Sequence, residues 1–169
     1  MQNKIFATTF VLAACLLPLV AQAQQSRAWI GVAAGIASLP PESGLDPAFG
    51  RRHSMLTLGV APEKWRAEVR GDLLWAHWPS YAGPVSLSLN ALLPVGSARF
   101  SRQPGALLLQ PYLLAGVGIY GVGNGRSDAG ANAGFGVRIE GERLAVFTEA
   151  RRHTAYARNL LTFGVGYRP

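Results

Sequence analysis

Between residues 24 and 169, apolar and polar side chains alternate in steps of two over stretches of roughly ten residues, and Gly, Pro, Asn, Asp and Ser clusters break the alternation. No stretch keeps an amphipathic helical period for long, and glycine, a poor helix former, is spread throughout. Eight alternating stretches follow one another: Arg27 to Ser38, Ser54 to Ala61, Trp65 to Ala76, Val85 to Leu93, Ala106 to Tyr120, Ala131 to Glu140, Arg143 to His153 and Arg158 to Arg168. An even number of strands in an up-and-down meander brings both chain ends to one side and lets the last strand pair with the first, which leaves no free edge. The pattern predicts an all-β fold, an eight-stranded antiparallel up-and-down barrel.

The connections support that order. Leu39 to His53 and Gly121 to Gly130 are long, His77 to Pro84 is intermediate, Pro62 to Lys64 is short, and Gly141-Glu142 reads as a tight hairpin turn with Gly first. Long loops at one end and short turns at the other are the asymmetry of a transmembrane barrel. Two links depart from it: Pro94 to Gly105 is long where a short turn belongs, and Thr154 to Ala157 is short where a loop belongs.

Charge decides which face points where. In "WRAEVRGDLLWA", Trp65, Ala67, Val69, Gly71, Leu73 and Trp75 oppose Arg66, Glu68, Arg70 and Asp72; in "FGVRIE", Phe135, Val137 and Ile139 oppose Arg138 and Glu140. Taken singly, each strand also fits a soluble sheet with one buried face. The polar faces, however, are not a coat of lysines. Residues 24–169 contain one Lys, Lys64, and five polar faces are largely glycine: Gly31 and Gly35, Gly59, Gly116 and Gly118, Gly134 and Gly136, Gly164 and Gly166. A water-facing strand gains nothing by losing its side chains, whereas a crowded barrel interior does.

The expectation is therefore a transmembrane β-barrel with its polar face inward. Arg66, Glu68, Arg70, Asp72, Arg138, Glu140, Arg143, Glu149 and Arg151 are expected to form a compensating lumen network, since buried charges require partners. Trp65, Trp75, Phe135, Phe163 and Tyr167 are expected to face lipid. Trp65 and Trp75 would lie ~25 Å apart along the membrane normal, about the height of the apolar band of such barrels.

Residues 1–23 read as a signal peptide: Lys4, an apolar run from Ile5 to Val20, and Ala21-Gln22-Ala23 before the cleavage point. The remainder, 24–169, is one domain. "LAAC" around Cys15, the only cysteine, looks like a lipobox, yet the residues after it continue the apolar run. The chain's formal charge is +7, but no nucleic-acid-binding motif accompanies it, which points to anionic lipid headgroups. Arg51 and Arg52, with His53, fall in the first loop and are candidates for contact with lipopolysaccharide phosphates.

"PYLLAGVGIYG", "AGFGVRIEGERLAVFTEARRHT" and "LLTFGVGYRP" are similar to the last four strands of the outer-membrane β-barrel family of Gram-negative bacteria, the OmpA/OmpX/opacity-type eight-stranded barrels. The resemblance implies outer-membrane location and places Glu149 and Arg151 in the lumen. Thr162, Gly164 and Tyr167 also resemble the C-terminal signal read by the barrel-assembly machinery, with Pro169 where the family usually has Phe. Family members include adhesins, envelope braces and lipid A-modifying enzymes, so fold alone does not choose among them.

Candidate chemistry is thin. His153 with Glu149 and Thr154, or His77 with Ser80, could be drawn as hydrolase pairs at the outer rim, without matching the constellations of the lipid A deacylases and acyltransferases. The three histidines lack short metal-ligand spacing and read as interfacial rim residues. "GVGNGRSDAG" has glycines but no phosphate-loop lysine. The sequence reading is a monomeric, cofactor-free, non-enzymatic barrel with a structural or adhesive role, alongside two alternatives: a lipid A-modifying enzyme and a small pore.

Overall fold

A computed structural model describes residues 26–37, 51–62, 67–77, 82–100, 106–122, 127–154 and 158–169. Eight long antiparallel strands form the wall: β1 (Ser26–Ala37), β2 (Arg51–Pro62), β3 (Glu68–His77), β4 (Ala82–Pro94), β6 (Leu108–Val122), β7 (Asp128–Glu140), β8 (Leu144–His153) and β9 (Arg158–Tyr167). A two-residue strand, β5 (Ala98–Arg99), extends the connection between β4 and β6. Neighbours pair in the order β4-β3-β2-β1-β9-β8-β7-β6, and β4 pairs with β6 to close the circle. First and last long strands meet with Ile30 opposite Tyr167 and Ala37 opposite Leu160, so the barrel has no open edge.

Three details differ from the sequence reading. Arg51, Arg52 and His53 belong to β2 and not to a loop, because the first hairpin ladder continues out to the pair Ala37 and Arg51. The β7–β8 turn is Glu142-Arg143, one residue later than expected: Gly141 N donates to Leu144 O at 2.8 Å, so Gly141 is still a paired position. The long Pro94 to Gly105 link is partly strand, with Ala98 and Arg99 paired to Leu109 and Leu108.

Alternation along every long strand divides an inner row from an outer one. On the outside are the large apolar side chains, among them Val32, Val117, Phe135, Phe163 and Val165, each about half exposed or more. The inside holds Glu68, Arg70, Asp72, Arg138, Glu140, Glu149 and Arg151, all buried. A soluble sheet distributes these the other way round.

The interior is not charge alone. Trp29, Ala33, Met55 and Phe147 form one apolar cluster, with Leu74 against it, and Leu92, Tyr112 and Leu114 form another. The inward glycines serve these rings more than the arginines. A Cβ on Gly59 would strike the Trp29 indole, and one on Gly136 would come within 2.6 Å of the Tyr112 ring. Glycine is needed there because two backbones and an aromatic ring share one narrow lumen.

Candidate functional site: the filled lumen

The waist of the barrel is a four-membered ion cluster. Arg70 on β3 donates through Nη1 to Glu149 Oε1 at 2.6 Å and through Nη2 to Oε2 at 2.7 Å, a bidentate pair. Strands β3 and β8 are four places apart in either direction round the wall, so the pair spans the lumen from side to side. Arg151, also on β8, sends Nη1 back across to Asp72 Oδ2 at 2.7 Å and Nε to Glu149 Oε2 at 2.7 Å. Arg70 Nε lies 3.1 Å from Asp72 Oδ1 as an ion-pair contact without hydrogen-bond geometry, the two residues being neighbours on one strand face. Asn90 on β4 completes the tier by donating to Asp72 Oδ2 at 2.8 Å.

A second tier lies toward the end that holds the chain termini. Glu68 accepts from Trp29 Nε1 at 2.7 Å and from Arg138 Nη1 at 2.8 Å. Arg138 also reaches Gln110 Oε1 at 2.9 Å and pairs with Glu140, and Arg168 reaches Glu140 Oε1 at 3.3 Å. The Arg138 guanidinium stands 5.7 Å from the Trp29 ring and 5.9 Å from the Tyr112 ring, and the Arg70 guanidinium 5.9 Å from Phe147. Such cation–π contacts strengthen in a desolvated setting.

Of the nine expected network residues, seven meet in these two tiers: Glu68, Arg70, Asp72, Arg138, Glu140, Glu149 and Arg151. Arg143 does not, since the shifted turn makes it a loop residue and exposes it. Arg66 lies outside the described residues. Arg168, which carries the same parity as Gly164 and Gly166, takes a place in the network instead and brings the charge to four arginines against four carboxylates.

The third tier, at the opposite end, is polar and aromatic. His53 Nε2 and Thr162 Oγ1 are 2.9 Å apart, Asn132 Nδ2 donates to Tyr120 OH at 3.1 Å, and Tyr120 and His153 meet edge to face at 5.0 Å. His53 and His153 are therefore lumen residues and not interfacial rim residues, since each occupies an inward position of its strand.

Two members of one drawn hydrolase pair have other partners. Both Glu149 oxygens are held by arginines, and Thr154 Oγ1 is engaged with the Ala131 backbone, accepting from its N at 2.9 Å and donating to its O at 3.1 Å. The His77 backbone ends β3, while its side chain and all of Ser80 lie outside the described residues. Among the described residues no group of His, Cys, Asp and Glu is arranged to hold a metal. A shallow cleft at the terminal end, beside Trp29, Arg138 and Arg168, leaves about 10 Å³, room for about one water.

The expected lipid-facing aromatics divide similarly. Phe135, Phe163 and Tyr167 project outward and are exposed, Trp75 is half-buried at an outward position beside Val85 and Ser54, and Trp65 lies outside the described residues. Trp29, absent from the sequence reading, is among the described residues the indole that faces the lumen, and its shared parity with Gly31 and Gly35 is the signal that marks it.

No family model matches the chain, and no curated protein matches it by sequence. Solved structures do match. The N-terminal β-barrel domain of Pseudomonas aeruginosa OprF aligns with 15% identity and a TM-score of 0.55 over 86% of this chain and 100% of that one. A de novo designed transmembrane β-barrel aligns with 15% identity and a TM-score of 0.54, covering 85% of this chain and 95% of its own.

Proposed function

We propose that this chain, whose fold is that of the small transmembrane β-barrels, is an integral protein of a Gram-negative outer membrane, structural or surface-displaying in role, with a lumen plugged by side chains. The observation that carries this reading is the inverted polarity of the wall. Val117 and Phe135 are each 64% exposed, while Arg70 and Glu149 are each 1% exposed. An apolar belt around a whole molecule is costly in water and is matched by a hydrocarbon surround.

The plugged lumen is supported by the two ion tiers and the Trp29–Phe147 contact between them, with ring centroids 5.9 Å apart. The role is read as non-enzymatic because Glu149 and Thr154 are engaged elsewhere. Export through the 1–23 leader and insertion by the barrel-assembly machinery, using Gly164 and Tyr167, complete the reading. Arg52 is exposed at an outward position near the end away from the termini, and Arg152 is exposed near the same end, so lipopolysaccharide phosphates are its expected partners there.

Membrane fractionation tests the location. The protein should resist extraction by high salt, require detergent for release, and migrate differently on gels with and without heating. Release by salt alone would identify a soluble barrel. In planar bilayers the plugged lumen predicts no stable single-channel steps, and a steady conductance would identify a pore. Replacing Arg51 and Arg52 by Ser should weaken lipopolysaccharide binding; unaltered binding would remove that contact.

A further inference from the structure

The connection between β4 and β6 carries its hairpin ladder on beyond Pro94, alongside β6 residues Leu108 and Leu109 that β7 pairs on their other side. Pro94 pairs with Tyr112, but Ala98 pairs with Leu109 and Arg99 with Leu108, a slip of one residue across Val95 to Ser97. A one-residue slip reverses which side chains face which way. Inward positions on β4 are even-numbered, as at Asn90 and Leu92, so without the slip Phe100 would turn under the lumen. With it, Phe100 stands opposite Leu107, to whose carbonyl its N donates at 3.1 Å, on the outward side.

The result is an unbroken outer apolar strip. It runs from Leu93 and Leu113 on the wall through Val95 to Phe100 and Leu107 on the hairpin. Val95 is 56% exposed, Phe100 66% and Leu107 50%, as bare as the adjoining wall residues Leu93 and Leu113 at 48% and 51% or nearly so. Around the same end of the barrel, Arg27, Arg99 and Arg143 are exposed, with Arg99 opposite Leu108 on the face of the connection away from Phe100, against one exposed acidic side chain, Glu142, among the described residues.

We propose that this hairpin is a foot planted in the membrane interface, with Val95, Phe100 and Leu107 in the acyl region and Arg27, Arg99 and Arg143 drawing anionic phospholipid headgroups around the terminal end of the barrel. The proposal rests on the transmembrane reading above. Continuity with the wall selects lipid as the occupant: a strip that merges with a lipid-facing surface, at a barrel end whose exposed charged side chains are mostly positive, has the chemistry of an anionic bilayer surface. The departure of this link from a short turn is then the feature that carries its use.

The test uses the protein isolated from membranes with Cys15→Ser and Phe100→Cys, labelled with an environment-sensitive fluorophore and reconstituted in vesicles of phosphatidylcholine and phosphatidylglycerol. Leu93→Cys serves as the wall control and Glu142→Cys as the water control. The Phe100 label should follow the wall control, quenched by nitroxide lipids and shielded from iodide. Nitroxide carried on phosphatidylglycerol should quench it more than nitroxide on phosphatidylcholine, with local enrichment of up to about fivefold per nearby arginine, and Arg99→Glu should reduce that excess.

Iodide quenching equal to the Glu142 control, in protein that still shows heat-modifiable migration, would overturn the foot and leave the barrel reading standing. Equal quenching by the two nitroxide lipids would overturn the headgroup preference. Self-quenching that grows with protein-to-lipid ratio would assign the strip to a second copy of the chain and overturn the lipid assignment. Loss of heat-modifiable migration in the Cys15→Ser parent would instead strike the transmembrane reading itself.

Discussion

Arg70 and Glu149 clasp each other through two hydrogen bonds, 2.6 and 2.7 Å, across the full width of the barrel. Neither side chain reaches water, so each is the other's replacement for solvation. Removing one member of a buried pair is more damaging than removing both, since a lone charge is left without solvent. Glu149→Leu should cost about 3–5 kcal/mol of stability, and Arg70→Met added to it should recover more than half of the loss. Urea unfolding of the reconstituted barrel, followed by the heat-modifiable band, measures both. A double variant as unstable as the sum of its singles would mean the two residues act independently.

Trp29 occupies space that Gly59 and Gly166 leave open, and its indole N–H is spent on Glu68. Gly59→Val should destabilise by about 1–3 kcal/mol through overpacking. In a Trp29→Ala background the same change should cost much less, because the ring it strikes is gone, giving a coupling of about 0.5–3 kcal/mol. Strict additivity in unfolding midpoints would show that the glycine is there for some other reason.

How these residues come to be inside explains what the sequence discloses and what it withholds. The period-two rows, the closing pair of first and last strands, and the inward parity of Glu68, Arg70, Asp72, Arg138, Glu140, Glu149 and Arg151 all follow from alternation, which is a local property. Trp29 and Phe147 were legible by parity too, but an aromatic on a polar row is ambiguous until the glycines on neighbouring strands are brought beside it. That depends on register, a non-local property. Arg143 shows the same limit in miniature: a turn displaced by one residue moves its side chain from the lumen to solvent, and the preference for Gly at the first turn position favours Gly141-Glu142 where the ladder uses Glu142-Arg143. The histidines are misread for two reasons: His53 is placed in a loop although β2 includes it, and His153, the last residue of its expected strand, is taken as a rim residue although it sits at an inward position.

On the outer face, position along the strand should set the cost of a charge. Phe163 pairs with Ala34 and Thr148 near mid-height, whereas Tyr167 pairs with Ile30 and Leu144 at the terminal end. Phe163→Arg should cost about 2–4 kcal/mol in a bilayer and Tyr167→Arg about 0–1 kcal/mol. Unfolding from lipid vesicles reads the difference. Equal costs would argue against a depth-dependent apolar surround.

The most direct measurement of the inside-out wall is a spin-label scan of β9 in the reconstituted protein, residue by residue from Leu160 to Tyr167. Labels at Leu161, Phe163, Val165 and Tyr167 should collide with oxygen dissolved in the bilayer and be shielded from a water-soluble nickel chelate. Labels at the alternating positions, Leu160, Thr162, Gly164 and Gly166, should be immobilised and shielded from both. A period of two with those assignments is the predicted result; collision with the nickel chelate at the even positions, or burial from oxygen at the odd ones, would contradict the account.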